Sequence, residues 1–234
     1  RGLMKTEDGW TAEFISPNGP YSNNVYDMDL KNQDLWVASG GRGSDWGKLY
    51  IPDGIYHFSN ETWKNYNRST GYTAFDSISD MICVAIDPNN PKHAFVGTWA
   101  AGVIEFLDDE IVDVYSTHNS TLQNWELAGY VAISGVAFDN NNNLWVVNSS
   151  APDILSVKKP DGEWRAFNLG SNASNIFTAD MMIDSYNQKW IMVRSDHTLL
   201  VFTDNNTIDD PTDDVLRTLT NITGMGNLPG NRIL

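Results

Sequence analysis

The chain has 234 residues, with 15 Lys and Arg against 30 Asp and Glu, for a formal charge of −15. Hydrophobic residues make up 41% and aromatics 12%, a globular composition with enough apolar material for a substantial core. The acidity repels phosphate backbones and anionic lipid surfaces, which argues against a nucleic-acid partner and an electrostatic membrane anchor, and no stretch has the apolar length of a membrane span.

The first 20 residues hold two short strand-like pieces, Arg1-Gly2-Leu3-Met4 and Trp10-Thr11-Ala12-Glu13-Phe14, either side of a turn at Asp8-Gly9. Residues 21–70 form a first full unit. It runs through Val25-Tyr26-Asp27-Met28-Asp29-Leu30, then Leu35-Trp36-Val37-Ala38, Gly54-Ile55-Tyr56-His57-Phe58 and Thr62-Trp63-Lys64-Asn65-Tyr66. Residues 77–125 repeat the plan with 82–87, Ala94-Phe95-Val96-Gly97-Thr98, Gly102-Val103-Ile104-Glu105-Phe106 and Ile111-Val112-Asp113-Val114-Tyr115. Residues 130–170 give Gly135-Val136-Ala137-Phe138-Asp139, four asparagines, Leu144-Trp145-Val146-Val147, 153–157 and Trp164-Arg165-Ala166-Phe167. Residues 173–221 give Met181-Met182-Ile183-Asp184, Lys189-Trp190-Ile191-Met192-Val193, Thr198-Leu199-Leu200-Val201-Phe202 and a less regular piece at 215–219. Residues 225–234 read as the opening of another unit.

An aromatic recurs at one place in each unit: Trp36, Phe95, Trp145, Trp190. Four strands per unit, a period of roughly 45 to 60 residues and no long helical periodicity predict an all-β chain of four-stranded antiparallel β-propeller blades. A repeat suits this fold because each twisted sheet buries its faces only against neighbouring blades. Four full blades flanked by part-blades predict a fragment of a larger propeller, without a closed ring of its own. No signal peptide is visible and the first residue is Arg1, the expectation for a mature or trimmed segment.

The repeats resemble the two-component regulator propeller repeat of Bacteroidetes. Leu228-Pro229-Gly230-Asn231-Arg232-Ile233 matches its lead-in, Phe95-Val96-Gly97-Thr98 followed by Gly102-Val103 its centre, and Asp139 to Trp145 and Asp184 to Trp190 its turn and aromatic. The Gly-Thr of that pattern is replaced by Ala38-Ser39, Val147-Asn148 and Val193-Arg194 in three units. Pro17-Asn18-Gly19-Pro20, Ser22-Asn23-Asn24-Val25 and Gly40-Gly41-Arg42, with Trp46 and Tyr50 ahead of Gly54-Ile55-Tyr56, look closer to PorZ-like proteins. That resemblance implies a propeller-bearing accessory of the type IX secretion system, exported to the periplasm or outer cell surface. Membership among the sensor proteins would instead imply the periplasmic half of a hybrid two-component regulator that binds a carbohydrate breakdown product.

Catalytic signatures are weak. The histidines His57, His93, His118 and His197 share no metal-ligand spacing and read as surface or packing residues, so no metal and no cofactor is expected. No nucleophile elbow or P-loop occurs, and Gly40-Gly41-Arg42-Gly43 opens no helix. The Asp-rich stretch 204–214 lacks EF-hand spacing. Cys83 sits in the apolar run Met81-Ile82-Cys83-Val84-Ala85-Ile86, so a buried strand thiol is expected, and a lone cysteine excludes an internal disulfide. A carboxylate pair for glycoside hydrolysis stays open on composition alone.

Binding is the better expectation, and in a propeller it belongs to the loops at one face of the disc. The loop 40–53 supplies Arg42, Trp46 and Tyr50; Trp99 occupies the equivalent loop of the second unit, Arg194 borders it in the fourth, and Trp125 lies in the connection 116–131. Aromatics beside Arg suit sugar rings and anionic substituents, and equally a protein partner. The same aromatics also suit plain anchoring of long loops onto the blades.

Overall fold

The computed structural model describes residues 3–194 and 198–228. It holds one two-stranded and four four-stranded sheets, all antiparallel. The two-stranded sheet pairs β1 (Leu3–Lys5) with β2 (Glu13–Ile15). Blade 1 comprises β3 (Asp27–Lys31), β4 (Asp34–Ala38), β5 (Ile55–Ser59) and β6 (Thr62–Tyr66). Blade 2 comprises β7 (Met81–Asp87), β8 (Asn90–Thr98), β9 (Val103–Leu107) and β10 (Glu110–Tyr115). Blade 3 comprises β11 (Ala132–Phe138), β12 (Leu144–Ser149), β13 (Leu155–Lys158) and β14 (Trp164–Phe167). Blade 4 comprises β15 (Thr178–Ile183), β16 (Lys189–Val193), β17 (Leu199–Thr203) and β18 (Val215–Leu219). The chain is a β-propeller arc of these four blades, as the repeat pattern predicts.

Within each blade the strands pair in sequence order, and the innermost strands pack one on the next: β3 on β7, β7 on β11, β11 on β15. Four blades therefore enclose three apolar layers. The first sets Trp36, Ile55 and Tyr66 against Val84, Val96 and Phe106; the second sets Phe95, Trp99 and Val103 against Ile133, Val136 and Val146; the third sets Trp145, Leu155 and Phe167 against Ile191, Leu200 and Phe202. Cys83 is buried in the second layer with a free thiol. Each layer contains one recurring aromatic, Trp36, Phe95 or Trp145, a large flat side chain that fills the gap between twisted sheets.

The Asp that ends the inner strands of blades 2, 3 and 4 has a local cause. Asp139 Oδ1 accepts from the backbone N–H of Asn141 and Asn143, each at 2.9 Å, and its Oδ2 accepts from Trp145 Nε1 at 2.8 Å. Asp184 repeats this with Tyr186, Gln188 and Trp190 Nε1. In blade 2 Asp87 Oδ1 accepts from Asn89, and His93 takes the place of the indole donor at Asp87 Oδ2, 2.9 Å away. One carboxylate thus closes the turn and fixes the aromatic.

Close approach between blades sets two glycines. A Cβ on Gly40 would lie 2.1 Å from the Met81 backbone nitrogen of blade 2, and one on Gly97 would lie 2.6 Å from Ile133 Cγ2 of blade 3. Among the described residues the other regular structure is three short 3₁₀ turns.

Candidate functional site at the mouth of the arc

The long loop 39–54 leaves blade 1 between β4 and β5 and reaches the opposite end of the arc. It folds back on itself through Gly43 N–H donating to Gly47 O at 2.8 Å and a lone bridge between Arg42 and Lys48. Trp46 stands at its tip with a φ of 70° and Tyr50 further on with a φ of 57°, both left-handed conformations that a bulky residue holds only when the surroundings enforce it. Asp80 supplies much of that enforcement. Fully buried, it accepts backbone N–H bonds from Leu49 (3.0 Å), Tyr50 (2.8 Å) and Ile51 (2.8 Å).

The tip is tied across the arc to blade 4. Arg42 Nη2 donates to Ala179 O at 2.9 Å, and Arg194 Nη2 donates to Ser44 O at 3.0 Å. Both guanidinium carbons lie over the Trp46 ring, at 4.4 Å for Arg42 and 4.2 Å for Arg194. From below, Trp99 Nε1 donates to Trp46 O at 2.7 Å. Phe177 sits 6.1 Å from Trp46 and 5.1 Å from Trp125, linking the two loops.

Five of the six residues expected from sequence therefore converge: Arg42, Trp46, Trp99, Trp125 and Arg194. Their roles differ. Trp99 is fully buried and holds the loop from beneath, and Trp125 packs on Tyr130 and Phe177. Tyr50 stands apart and is 70% exposed, with Lys48 Nζ 6.0 Å from its ring centre.

Beside the clamp lies a hollow of about 360 Å³, walled by residues of all four blades, among them Tyr26, Asp27, Arg42, Trp46, Asp180 and Arg194. Two of the lining residues each carry a buried donor without a hydrogen-bond partner, Arg42 Nη1 and Trp46 Nε1. Burial raises the carboxyl pKa of both Asp27 and Asp180 above the ordinary range, and burial lowers that of Arg42. Asp27 is held by Met28 N–H on one oxygen and by Val84 N–H of blade 2 on the other.

Tyr26, Asp27, Phe177 and Asp180 escaped the sequence reading: the first two read as plain strand residues, and the last two precede 181–184, the piece that reads as the strand, although β15 begins at Thr178. Asp27 and Asp180 do share one position in the repeat, which is the signal that finds them. His57 and His93 are not at this site. His57 bridges Asp34 and Asp109 at 3.0 and 2.8 Å, and His93 bridges Asp87 and Glu105 at 2.9 and 2.7 Å. His118 bonds Ser116 Oγ, and His197 lies outside the described residues. Asp204 of the acidic stretch accepts from the buried Lys189 ammonium, which also lies 3.7 Å from the centre of the Trp145 ring.

No family model matches the chain, and no curated protein matches it. Among solved structures it is similar to PorZ of Porphyromonas gingivalis, described as an essential bacterial surface component of the type-IX secretion system. The two share 26% identity over 91% of this chain, with a TM-score of 0.76. The chain spans 30% of the length of that PorZ chain. Virginiamycin B lyase of Staphylococcus aureus is similar over 89% of this chain and 60% of its own, at 12% identity and TM-score 0.60. The Swd1 β-propeller domain of Myceliophteria thermophila is similar over 87% of this chain and 61% of its own, at 9% identity and TM-score 0.57. The last two likenesses concern the fold alone.

Proposed function

We propose that this chain is the recognition propeller of an exported, PorZ-like surface protein, and that the hollow at the mouth of the arc binds a glycan bearing an anionic group. The observation that carries the reading is that two residues lining one hollow, Arg42 and Trp46, each keep a buried, unpartnered donor, Nη1 and Nε1. A buried donor without an acceptor costs about 1–3 kcal/mol, a cost that a bound acceptor removes. The carboxyl groups of Asp27 and Asp180 stand by to meet hydroxyl groups, so the wall suits a hydroxylated molecule with one acidic substituent. The likeness to PorZ supports the exported, cell-surface setting.

Recognition is favoured over hydrolysis by the state of the carboxylates. Asp27 is held by two backbone N–H bonds and Asp180 by one, fixed positions that support recognition of hydroxyl groups. A glycan array probed with the wild-type chain and with Trp46→Ala tests the reading. Binding to at least one acidic glycan, lost in the variant, is the expected result. Absence of binding to every glycan would overturn it in favour of a protein-docking face.

A further inference from the structure

The clamp over the hollow continues outward as a path of aromatic rings. Phe177 sits 6.1 Å from Trp46 and 5.1 Å from Trp125, and Trp125 sits 5.6 Å from Tyr130. Lys48 Nζ lies 4.0 Å from the Tyr130 ring centre and 6.0 Å from that of Tyr50, and so joins the last two rings. The path starts at Trp46, which lines the hollow, and ends at Tyr50, which is 70% exposed. Anchoring of loops accounts for the rings as far as Tyr130, each of which packs on another. No ring packs on Tyr50 among the described residues, so anchoring leaves its exposure unexplained.

The outer end of the path is apolar and rigidly held. Leu49, next to Tyr50, is 48% exposed. Leu127 is 93% exposed at the tip of the hairpin that carries Tyr130. That hairpin is closed by Trp125 N–H donating to Tyr130 O at 2.9 Å and by Gly129 N–H donating to Trp125 O at 2.8 Å. Exposed apolar surface on a fixed frame marks a place of contact. Tyr50 adds strain to exposure: its φ of 57° is costly for a bulky residue, and the Asp80 carboxylate holds its N–H there. The fold thus spends energy to present this ring to the outside.

Charge selects the occupant. Arg42 and Lys48 are bridge partners, which sets their side chains on one side of the loop, and Arg194 lies over the Trp46 ring. Asp45, at the loop tip between them, is turned onto its own loop and accepts from Gly47 N–H at 3.0 Å. Three of the chain's 15 Lys and Arg therefore follow this one path in a molecule of charge −15. Flat rings in series offer stacking surface to successive sugar rings, and the cations between them meet acidic substituents. We propose that the ligand is an acidic oligosaccharide chain rather than a single sugar. One acidic sugar enters the hollow, the sugars that follow lie along Trp125 and Tyr130 as far as Tyr50, and Lys48 meets a second acidic group. This rests on the reading of the hollow as a glycan site and adds to it an outer subsite centred on Lys48 and Tyr50.

A length series tests it. Disaccharide and octasaccharide fragments of polygalacturonate, hyaluronate and alginate are titrated against wild type, Tyr50→Asn and Trp46→Ala. Asn tolerates the left-handed backbone, so Tyr50→Asn removes the ring and keeps the loop. For at least one polymer the octasaccharide is expected to bind wild type more than about tenfold more tightly than the disaccharide. Tyr50→Asn is expected to lose most of that gain and to bind the disaccharide as wild type does, whereas Trp46→Ala loses both lengths. Equal affinity for the two lengths in wild type, or a gain that survives in Tyr50→Asn, would overturn the proposal and leave the hollow as a single-sugar site. Absence of binding at both lengths for every polymer would overturn the outer subsite and the glycan reading of the hollow together, and make the path a face for a protein partner.

Discussion

Trp145 and Trp190 make the same bond to the same kind of partner in different surroundings. Asp139 accepts from Trp145 in a buried setting, while Asp184 accepts from Trp190 at a half-exposed one. Replacing the indole by Phe removes one donor: Asp139 Oδ2 keeps Asn143 Nδ2 but loses a buried bond, while Asp184 Oδ2 can turn to water. Trp145→Phe is therefore expected to destabilise the chain by about 1–3 kcal/mol, and Trp190→Phe by clearly less, in urea unfolding. Gly40 gives a second test at this scale. Its missing Cβ would sit 2.1 Å from the Met81 nitrogen, so Gly40→Ala pushes β7 away from blade 1, an expected loss of about 1–3 kcal/mol. His93 gives a test with a sign. Burial alone would lower its pKa, but the bonds to Glu105 and Asp87 outweigh that and raise it. The histidine therefore contributes stability below its unfolded value of about 6.5, and that contribution fades as pH rises through the higher folded value. Glu105 is shifted the other way: burial opposes it, while His93 and Tyr115 hold it below the ordinary range, so its contribution is lost only in acid. The stability gap between wild type and His93→Gln is expected to be widest near pH 6 and to shrink toward alkaline pH. A gap that grows with pH would contradict the clamp.

At the scale of elements, the loop 39–54 owes its shape to one carboxylate on the next blade. Asp80 joins three backbone N–H groups of the loop, and its own φ of 57° is one that Asn also tolerates. Asp80→Asn keeps the backbone and one acceptor while removing the charge. The expected outcome is a folded chain with faster amide exchange at residues 49–51 and weaker ligand binding, and unchanged exchange there would remove Asp80 from its role. How far the sequence reveals this region follows from the distances involved. The strands were legible because Trp36, Phe95, Trp145 and Trp190 recur with flanking apolar alternation, a signal local to each unit. Arg42, Trp46 and Arg194 were legible as loop residues of binding chemistry. What could not be read was their mutual placement, since Arg42 bonds Ala179 and Arg194 bonds Ser44 across intervals of more than a hundred residues. The buried polar clamps were hidden for the same reason: His57 meets Asp109 from the neighbouring blade.

For the whole molecule, the blades and the site are one construction. The hollow exists because four inner edges face a common space and because one loop crosses from the first blade to the last. Of the two arginines that clamp this loop, Arg42 also keeps one donor unpartnered, so in the proposed reading anchoring and recognition share that residue. The aromatics divide accordingly: Trp99 supports the loop from beneath, Trp46 lines the hollow, and Tyr50 stands apart from it. The most direct test is a calorimetric titration of the strongest acidic glycan from the array against wild type, Arg42→Gln, Trp46→Ala and, as a remote control on β6, Trp63→Ala. Loss of about tenfold or more in affinity for the Arg42 and Trp46 variants, with the Trp63 variant unchanged, is the expected result. Equal affinity in all four proteins would contradict the assignment of the hollow as the binding site.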